Sequence, residues 1–97
     1  MEFTITLTDS AIEDLDYFRN NERKVIADGI ALLLKVDANK ETRKRKPLRP
    51  NRLAPWELRI GDYRVFYELE EKNEVKVVAV GHKEHNDLYI RGKKVEL

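Results

Sequence analysis

The chain has 97 residues, 41% of them hydrophobic and 38% charged, with no cysteine and a net charge of +1. That is the length of one domain, apolar enough for a modest core and too apolar for a disordered chain. The missing cysteine excludes disulfides, thiol nucleophiles and thiolate metal sites, and no apolar run approaches the roughly 20 residues of a membrane helix. No basic segment followed by an apolar stretch opens the chain, so a single cytoplasmic domain over residues 1–97 is expected, with no membrane association.

Residues 2–7 alternate Phe3, Ile5 and Leu7 with Glu2, Thr4 and Thr6, the period of a half-buried strand. Ser10 and Glu13 have capping-box spacing, and Ala11, Ile12, Leu15 and Phe18 form the stripe of a helix running to about Arg19. Asn20-Asn21 breaks that helix, and Asn21 is suited to cap a second one whose buried side is Ile26, Ile30, Leu33 and Leu34. So short a turn predicts antiparallel helices. Residues 41–55 show no periodicity and hold all three prolines, so a long loop is expected there. Strands follow at Trp56–Ile60, Tyr63–Leu69 and Val75–Val80, the last two apolar on both faces. The order β-α-α-β-β-β describes an α+β domain: two antiparallel helices packed on one face of a small, largely antiparallel four-stranded sheet.

Charge is unevenly placed along the chain. Residues 1–40 hold 8 acids and 5 bases, net −3; residues 41–66 hold 3 and 8, net +5; residues 67–97 hold 7 and 6, net −1. The basic middle contains Arg43-Lys44-Arg45-Lys46, with Arg49 and Arg52 close behind. Such a run either attracts phosphates or is a solvated loop.

The tetrapeptide Ile60-Gly61-Asp62-Tyr63 signals a two-residue hairpin with a primed turn. The register is then fixed, with Ile60 facing Tyr63, Arg59 facing Arg64, Leu58 facing Val65, Glu57 facing Phe66 and Trp56 facing Tyr67. Alternation sends Trp56, Leu58, Ile60, Tyr63, Val65 and Tyr67 to the core and Glu57, Arg59, Arg64 and Phe66 to the opposite face. Two arginines directly opposite one another repel. Either Glu57 and nearby acids neutralise them, or an anion such as phosphate belongs between the two guanidinium forks, and the second reading is favoured. His82 and His85, the only histidines, have no third ligand of matching type, so no metal site is expected.

The segments Pro47-Leu48, Trp56-Glu57-Leu58-Arg59-Ile60-Gly61-Asp62-Tyr63-Arg64-Val65-Phe66-Tyr67-Glu68, Val77-Val78-Ala79-Val80-Gly81-His82-Lys83 and Leu88-Tyr89 resemble the RelE/ParE superfamily of type II toxin–antitoxin toxins. The motif is carried by residues 47–89, while the order of elements fits the whole chain. Departures are Arg49-Pro50, where the family usually has a glycine after the leucine, and a net charge lower than RelE-type nucleases tend to carry. The RelE-like resemblance implies an endoribonuclease that cuts messenger RNA in the ribosomal decoding site by attack of the ribose 2′-hydroxyl on the adjacent phosphate, without metal or cofactor. It implies that Arg59 and Arg64 hold the phosphate, Glu57 is the base, and Lys83 is the acid with His82 and His85 as alternatives. Tyr89 would stack on or orient the nucleotide, and Arg43, Lys44, Arg45, Lys46, Arg49 and His82 would contact RNA. It also implies a cognate antitoxin that wraps the domain and blocks the site, with operator DNA bound only through that complex. The alternatives are a ParE-like inhibitor of DNA gyrase on the same fold, or an inactive relic that only binds its antitoxin.

Overall fold

The structure, a computed structural model, describes residues 1–97. Its elements are β1 (Thr4–Leu7), α1 (Asp9–Asp16), α2 (Asn20–Leu34), β2 (Arg45–Pro47), β3 (Trp56–Ile60), β4 (Tyr63–Glu70), β5 (Glu74–Glu84), β6 (Asp87–Ile90) and β7 (Lys93–Val95). The expected α+β architecture is present, and three short strands extend the four expected ones into a seven-stranded sheet. Strands β2 to β7 run in order, each antiparallel to the next, while β1 lies parallel to the first half of β5. The added strands have three or four residues, too few to show a period. Turn chemistry places two of them: His85-Asn86 and Arg91-Gly92 both have positive φ at both positions, the pattern of type I′ hairpins.

Both helices begin earlier than the spacing suggested. Thr8 caps α1, its Oγ1 accepting the Ala11 N–H at 3.1 Å, so Ser10 lies inside the first turn. Thr8 leaves β1 with extended backbone, which is the geometry a cap requires. Arg19 holds the cap position of α2, and its N–H donates to Glu22 Oε1 at 3.2 Å, so Asn21 is helical. The Glu22 carboxylate serves the N–H of the cap residue itself, the N3 half of a capping box.

The main core lies between the helices and the sheet. Phe3, Ala11, Phe18, Ile26, Ile30 and Leu34 pack there against Leu58, Val65, Tyr67, Val75, Val77 and Val80. A smaller cluster of Ala54, Phe66, Ala79 and Leu88 occupies the other face, closed by Leu48, Leu53, Ile90 and Val95. The 41–55 segment is therefore folded rather than a free loop: β2 joins the sheet edge, and residues 48–55 cover this second cluster. Asn51 shapes the cover, its Oδ1 accepting the N–H groups of Leu53 and Ala54 at 2.7 and 3.0 Å.

A bulge connects the two cores. Phe66 pairs with Ala79 but Tyr67 pairs with Val77, leaving Val78 as an extra residue in β5. Alternation resets there, so Val80 returns to the helix side. Between the end of β1 at Val77 and the start of β6 pairing at His82, the outer edge of β5 has no strand partner. The Asp14 carboxylate fills the gap, accepting the Val80 N–H at 3.1 Å with Arg91 Nε 2.8 Å away. Burial raises the Asp14 pKa above the usual aspartate value, against the opposing pull of that hydrogen bond and of Arg91.

Candidate functional site

The β3–β4 hairpin has the register expected of it, from Ile60↔Tyr63 through Arg59↔Arg64 to Trp56↔Tyr67. Gly61 has φ +58° and Asp62 does not share the left-handed region, as in a type II′ turn, where glycine leads. Trp56, Leu58, Ile60, Tyr63, Val65 and Tyr67 join the main core as alternation requires, with the Trp56 and Tyr67 rings stacked at 5.8 Å. Glu57, Arg59 and Arg64 face the other way.

These three form one charged unit. Glu57 is only 3% exposed. Its Oε2 accepts a hydrogen bond from Arg59 Nε at 3.0 Å, and its Oε1 lies 4.0 Å from Arg64 Nε. Arg64 folds back over the turn, Nη1 donating to the carbonyls of Gly61 and Tyr63 at 2.8 and 2.9 Å. The opposed guanidiniums thus sit over a shared carboxylate. Burial lowers the Arg64 pKa and Arg59 lowers it further, while Glu57 opposes both, and the group remains a cation. The buried Arg64 Nε has no hydrogen-bond partner, and neither Arg59 Nη atom donates within the protein.

Neighbouring strands add cations to this face. Lys46 stands opposite Glu57, and the Lys44 carbonyl accepts the Arg59 N–H at 2.7 Å, so alternation places Lys44 and Lys46 beside the arginines. Gly81 stands opposite Arg64, and Lys83, two residues on and opposite Leu88, shares its face. Lys44, Lys46, Arg59 and Arg64 thus flank one buried acid, while Lys83 lies further along β5 at the level of the hairpin turn, its N–H donating to the Asp62 carbonyl at 2.7 Å. Arg43 is exposed and lines a surface recess with Glu41, Thr42, Lys46 and Arg59.

Other expected site residues lie elsewhere. Arg45 pairs with Leu58 on the helix side, where Nη1 donates to the Leu33 carbonyl at 2.9 Å and Nε to the Lys40 carbonyl at 3.0 Å. It caps the C-terminal end of α2 rather than joining the basic face. Arg49 is exposed on the covering segment. His82 pairs with Tyr63 and Tyr89, its ring stacked on Tyr89 at 5.5 Å and edge-on to Phe18 at 6.1 Å. The bulge at Val78 turns both rings toward the helices, away from the arginine pair. His82 borders a recess of about 550 Å³ whose wall also includes Phe18, Arg19, Glu22, Tyr63 and Lys83. There the Tyr63 hydroxyl donates to Glu22 Oε2 at 2.9 Å, and burial with that carboxylate raises the tyrosine pKa. His85 is exposed at the tip of the β5–β6 hairpin, four residues past Gly81 and so roughly 13 Å further along the strand. No His, Asp and Glu side chains converge as a metal site.

Sequence reasoning overlooked Thr42. Its Oγ1 accepts the N–H groups of Lys44 and Arg45 at 3.2 and 3.1 Å, fixing the turn that leads into β2. The signal was a threonine placed just before the basic run, where its hydroxyl can form an ST-type turn.

Comparison with known proteins follows the same lines. The family model described as ParE toxin of type II toxin-antitoxin system, parDE, matches residues 5–87. No curated protein sequence matches the chain. Among solved structures, the RelBE2 toxin–antitoxin complex from Mycobacterium tuberculosis is similar at TM-score 0.68 and 24% identity, covering 86% of this chain and 100% of that one. The archaeal RelE–RelB complex from Pyrococcus horikoshii is similar at TM-score 0.65 and 16% identity, covering 88% and 99%. The YoeB dimer from Staphylococcus aureus is similar at TM-score 0.57 and 27% identity, covering 88% and 99%. No helix is long and apolar enough to cross a membrane. With the match spanning most of the chain and the fold shared with RelE-type toxins, the chain belongs to the ParE toxin family of type II toxin–antitoxin systems, within the RelE/ParE superfamily.

Proposed function

We propose that this toxin is an endoribonuclease acting on messenger RNA in the ribosomal decoding site, with the Glu57–Arg59–Arg64 unit as its centre. The carrying observation is the opposed arginine pair over a buried carboxylate, on a face that also carries Lys44, Lys46 and Lys83. Guanidinium groups with unengaged donors bind phosphate well, and rigid attachment to a sheet orients them before substrate arrives. The 2′-oxygen attacks the adjacent phosphorus, its proton leaves, the bond to the 5′-oxygen breaks, and that oxygen is protonated. The products are a 2′,3′-cyclic phosphate and a 5′-hydroxyl, and no metal enters the reaction.

In this reading Arg59 and Arg64 hold the phosphate and stabilise the charge that builds on it. Glu57 Oε1, which accepts no hydrogen bond, takes the 2′-hydroxyl proton, and a phosphate between the guanidiniums offsets the positive field that would otherwise weaken it as a base. Lys83 supplies the proton to the leaving oxygen. In this reading His82, His85, Tyr89 and Arg45 take no part in the reaction. The toxin–antitoxin complexes among its structural relatives support a cognate antitoxin as its partner.

Cleavage mapping on translating ribosomes tests the proposal: 5′-hydroxyl ends should appear at defined codon positions with wild type and vanish with Arg64→Ala. A second reading, inhibition of DNA gyrase through protein contacts, is favoured by the ParE family match. It predicts gyrase inhibition that survives Arg64→Ala, with no RNA ends produced.

A further inference from the structure

The recess at the β2 edge has a composition that the scissile-phosphate site does not require. It is an open recess of about 630 Å³ lined by Glu41, Thr42, Arg43, Lys46 and Arg59, with no apolar residue. Three cations face one acid. Arg59 belongs to both this recess and the Glu57–Arg64 unit, so the two positions share a wall. Strands in a sheet lie about 4.8 Å apart, which puts β2 cations within one nucleotide's reach of the β3–β4 arginine pair.

The backbone around the recess is pinned by hydrogen bonds. Thr42 N–H donates to the Arg45 carbonyl at 2.8 Å, and Thr42 Oγ1 in turn accepts from Lys44 and Arg45. Arg45 is anchored to Leu33 and Lys40, and the Arg59 N–H ties β3 to Lys44. With its oxygen already accepting two N–H groups, the Thr42 hydroxyl keeps its own hydrogen to donate. A fixed hydroxyl donor beside an arginine and a lysine is suited to an oxyanion, and the pinned backbone lowers the ordering cost of binding one.

We propose that this recess is a second phosphate subsite, holding the backbone phosphate next to the scissile one, so that RNA crosses the sheet from β2 toward β4. The inference rests on the endoribonuclease reading and deepens it: the substrate is recognised over two consecutive phosphates.

The test compares short RNAs made uncleavable by a 2′-deoxy substitution at the reacting nucleotide. One is a dinucleotide with the single scissile phosphate, the other a trinucleotide with one phosphate more on the β2 side. Wild type should bind the trinucleotide about tenfold more tightly, the worth of one charge-assisted contact. Arg43→Ala, at an exposed position where folding is not at stake, should erase most of that gain, and Lys46→Gln should do the same. For Arg43→Ala, the slope of log affinity against log salt for the trinucleotide should fall by about 0.7, one phosphate contact in single-stranded nucleic acid. Arg64→Ala should weaken both RNAs. If Arg43→Ala and Lys46→Gln leave the trinucleotide gain intact, or weaken both RNAs by one common factor, the subsite is wrong while an Arg64 effect keeps the nuclease reading. If wild type binds neither RNA, the subsite is wrong, and the nuclease reading stands or falls on cleavage mapping with ribosomes.

Discussion

Arg59 and Arg64 face one another across β3 and β4, and Glu57 lies beneath them, 3.0 Å from one guanidinium and 4.0 Å from the other. Two like charges directly opposite on neighbouring strands destabilise a sheet, and a carboxylate between them offsets the repulsion. The arrangement keeps two guanidiniums together while leaving donors of each unengaged.

Glu57→Gln preserves the shape and removes the charge. The variant should lose about 1 to 3 kcal/mol of stability, the cost of leaving buried charge-assisted hydrogen bonds weakened. Adding Arg64→Ala should recover part of the loss, measured by denaturant unfolding of both singles and the double. Single-turnover cleavage by Glu57→Gln should fall by roughly 10² to 10⁴, as when a general base is lost, while RNA affinity holds or improves.

The basic run should divide by role. Arg45→Ala should cost about 1 to 2 kcal/mol of stability, because the Leu33 carbonyl in the last turn of α2 and the Lys40 carbonyl beyond the helix lose their donor. Arg43→Ala, at an exposed position, should change stability by no more than about 0.5 kcal/mol. Thermal unfolding of the two variants side by side decides the matter.

Asp14 predicts a pH dependence of defined sign. Burial raises its folded pKa above the unfolded value, so its stabilising contribution is complete below the ordinary aspartate pKa and is lost as pH rises through the raised folded value. The stability difference between wild type and Asp14→Asn should therefore shift against wild type as pH rises across that window. Glu22 and Asp37, held below the usual carboxylate range by their hydrogen bonds, have the opposite trend and cancel in the comparison. Asp14→Ala should cost about 1 to 3 kcal/mol at any pH, since the Val80 N–H is left buried without an acceptor.

Tyr89 stacks on His82 on the helix side, and no hydrogen bond engages its hydroxyl within the protein. Tyr89→Phe should match wild type in stability and cleavage. Tyr89→Ala should lower the melting temperature, and any loss of cleavage should follow the unfolded fraction.

Local chemistry made the hairpin legible. Gly61-Asp62 determines a turn, the turn determines the register, and the register sorts Trp56 to Tyr67 between two faces without reference to the rest of the fold. The direction of Arg45 against Lys46 was not legible, because β2 has three residues and ends on Pro47, leaving no period to read. Nor was the side taken by His82 and Tyr89. Unbroken alternation from Val75 and Val77 would send residue 82 to the arginine face, but the extra residue at Val78 inverts it. That bulge depends on pairing with β4, on the gap between β1 and β6, and on Asp14, which are tertiary relationships. Both helix starts were misplaced by two residues because several polar side chains near each end were capable of capping.

The most direct measurement of the central claim is cleavage mapping on translating ribosomes with wild type and Arg64→Ala, both verified as folded. Wild type should give 5′-hydroxyl ends and 2′,3′-cyclic phosphates at defined codon positions, and folded Arg64→Ala should give neither. Cleavage by Arg64→Ala at the wild-type rate, or growth arrest by wild type with intact message and inhibited gyrase, would contradict it.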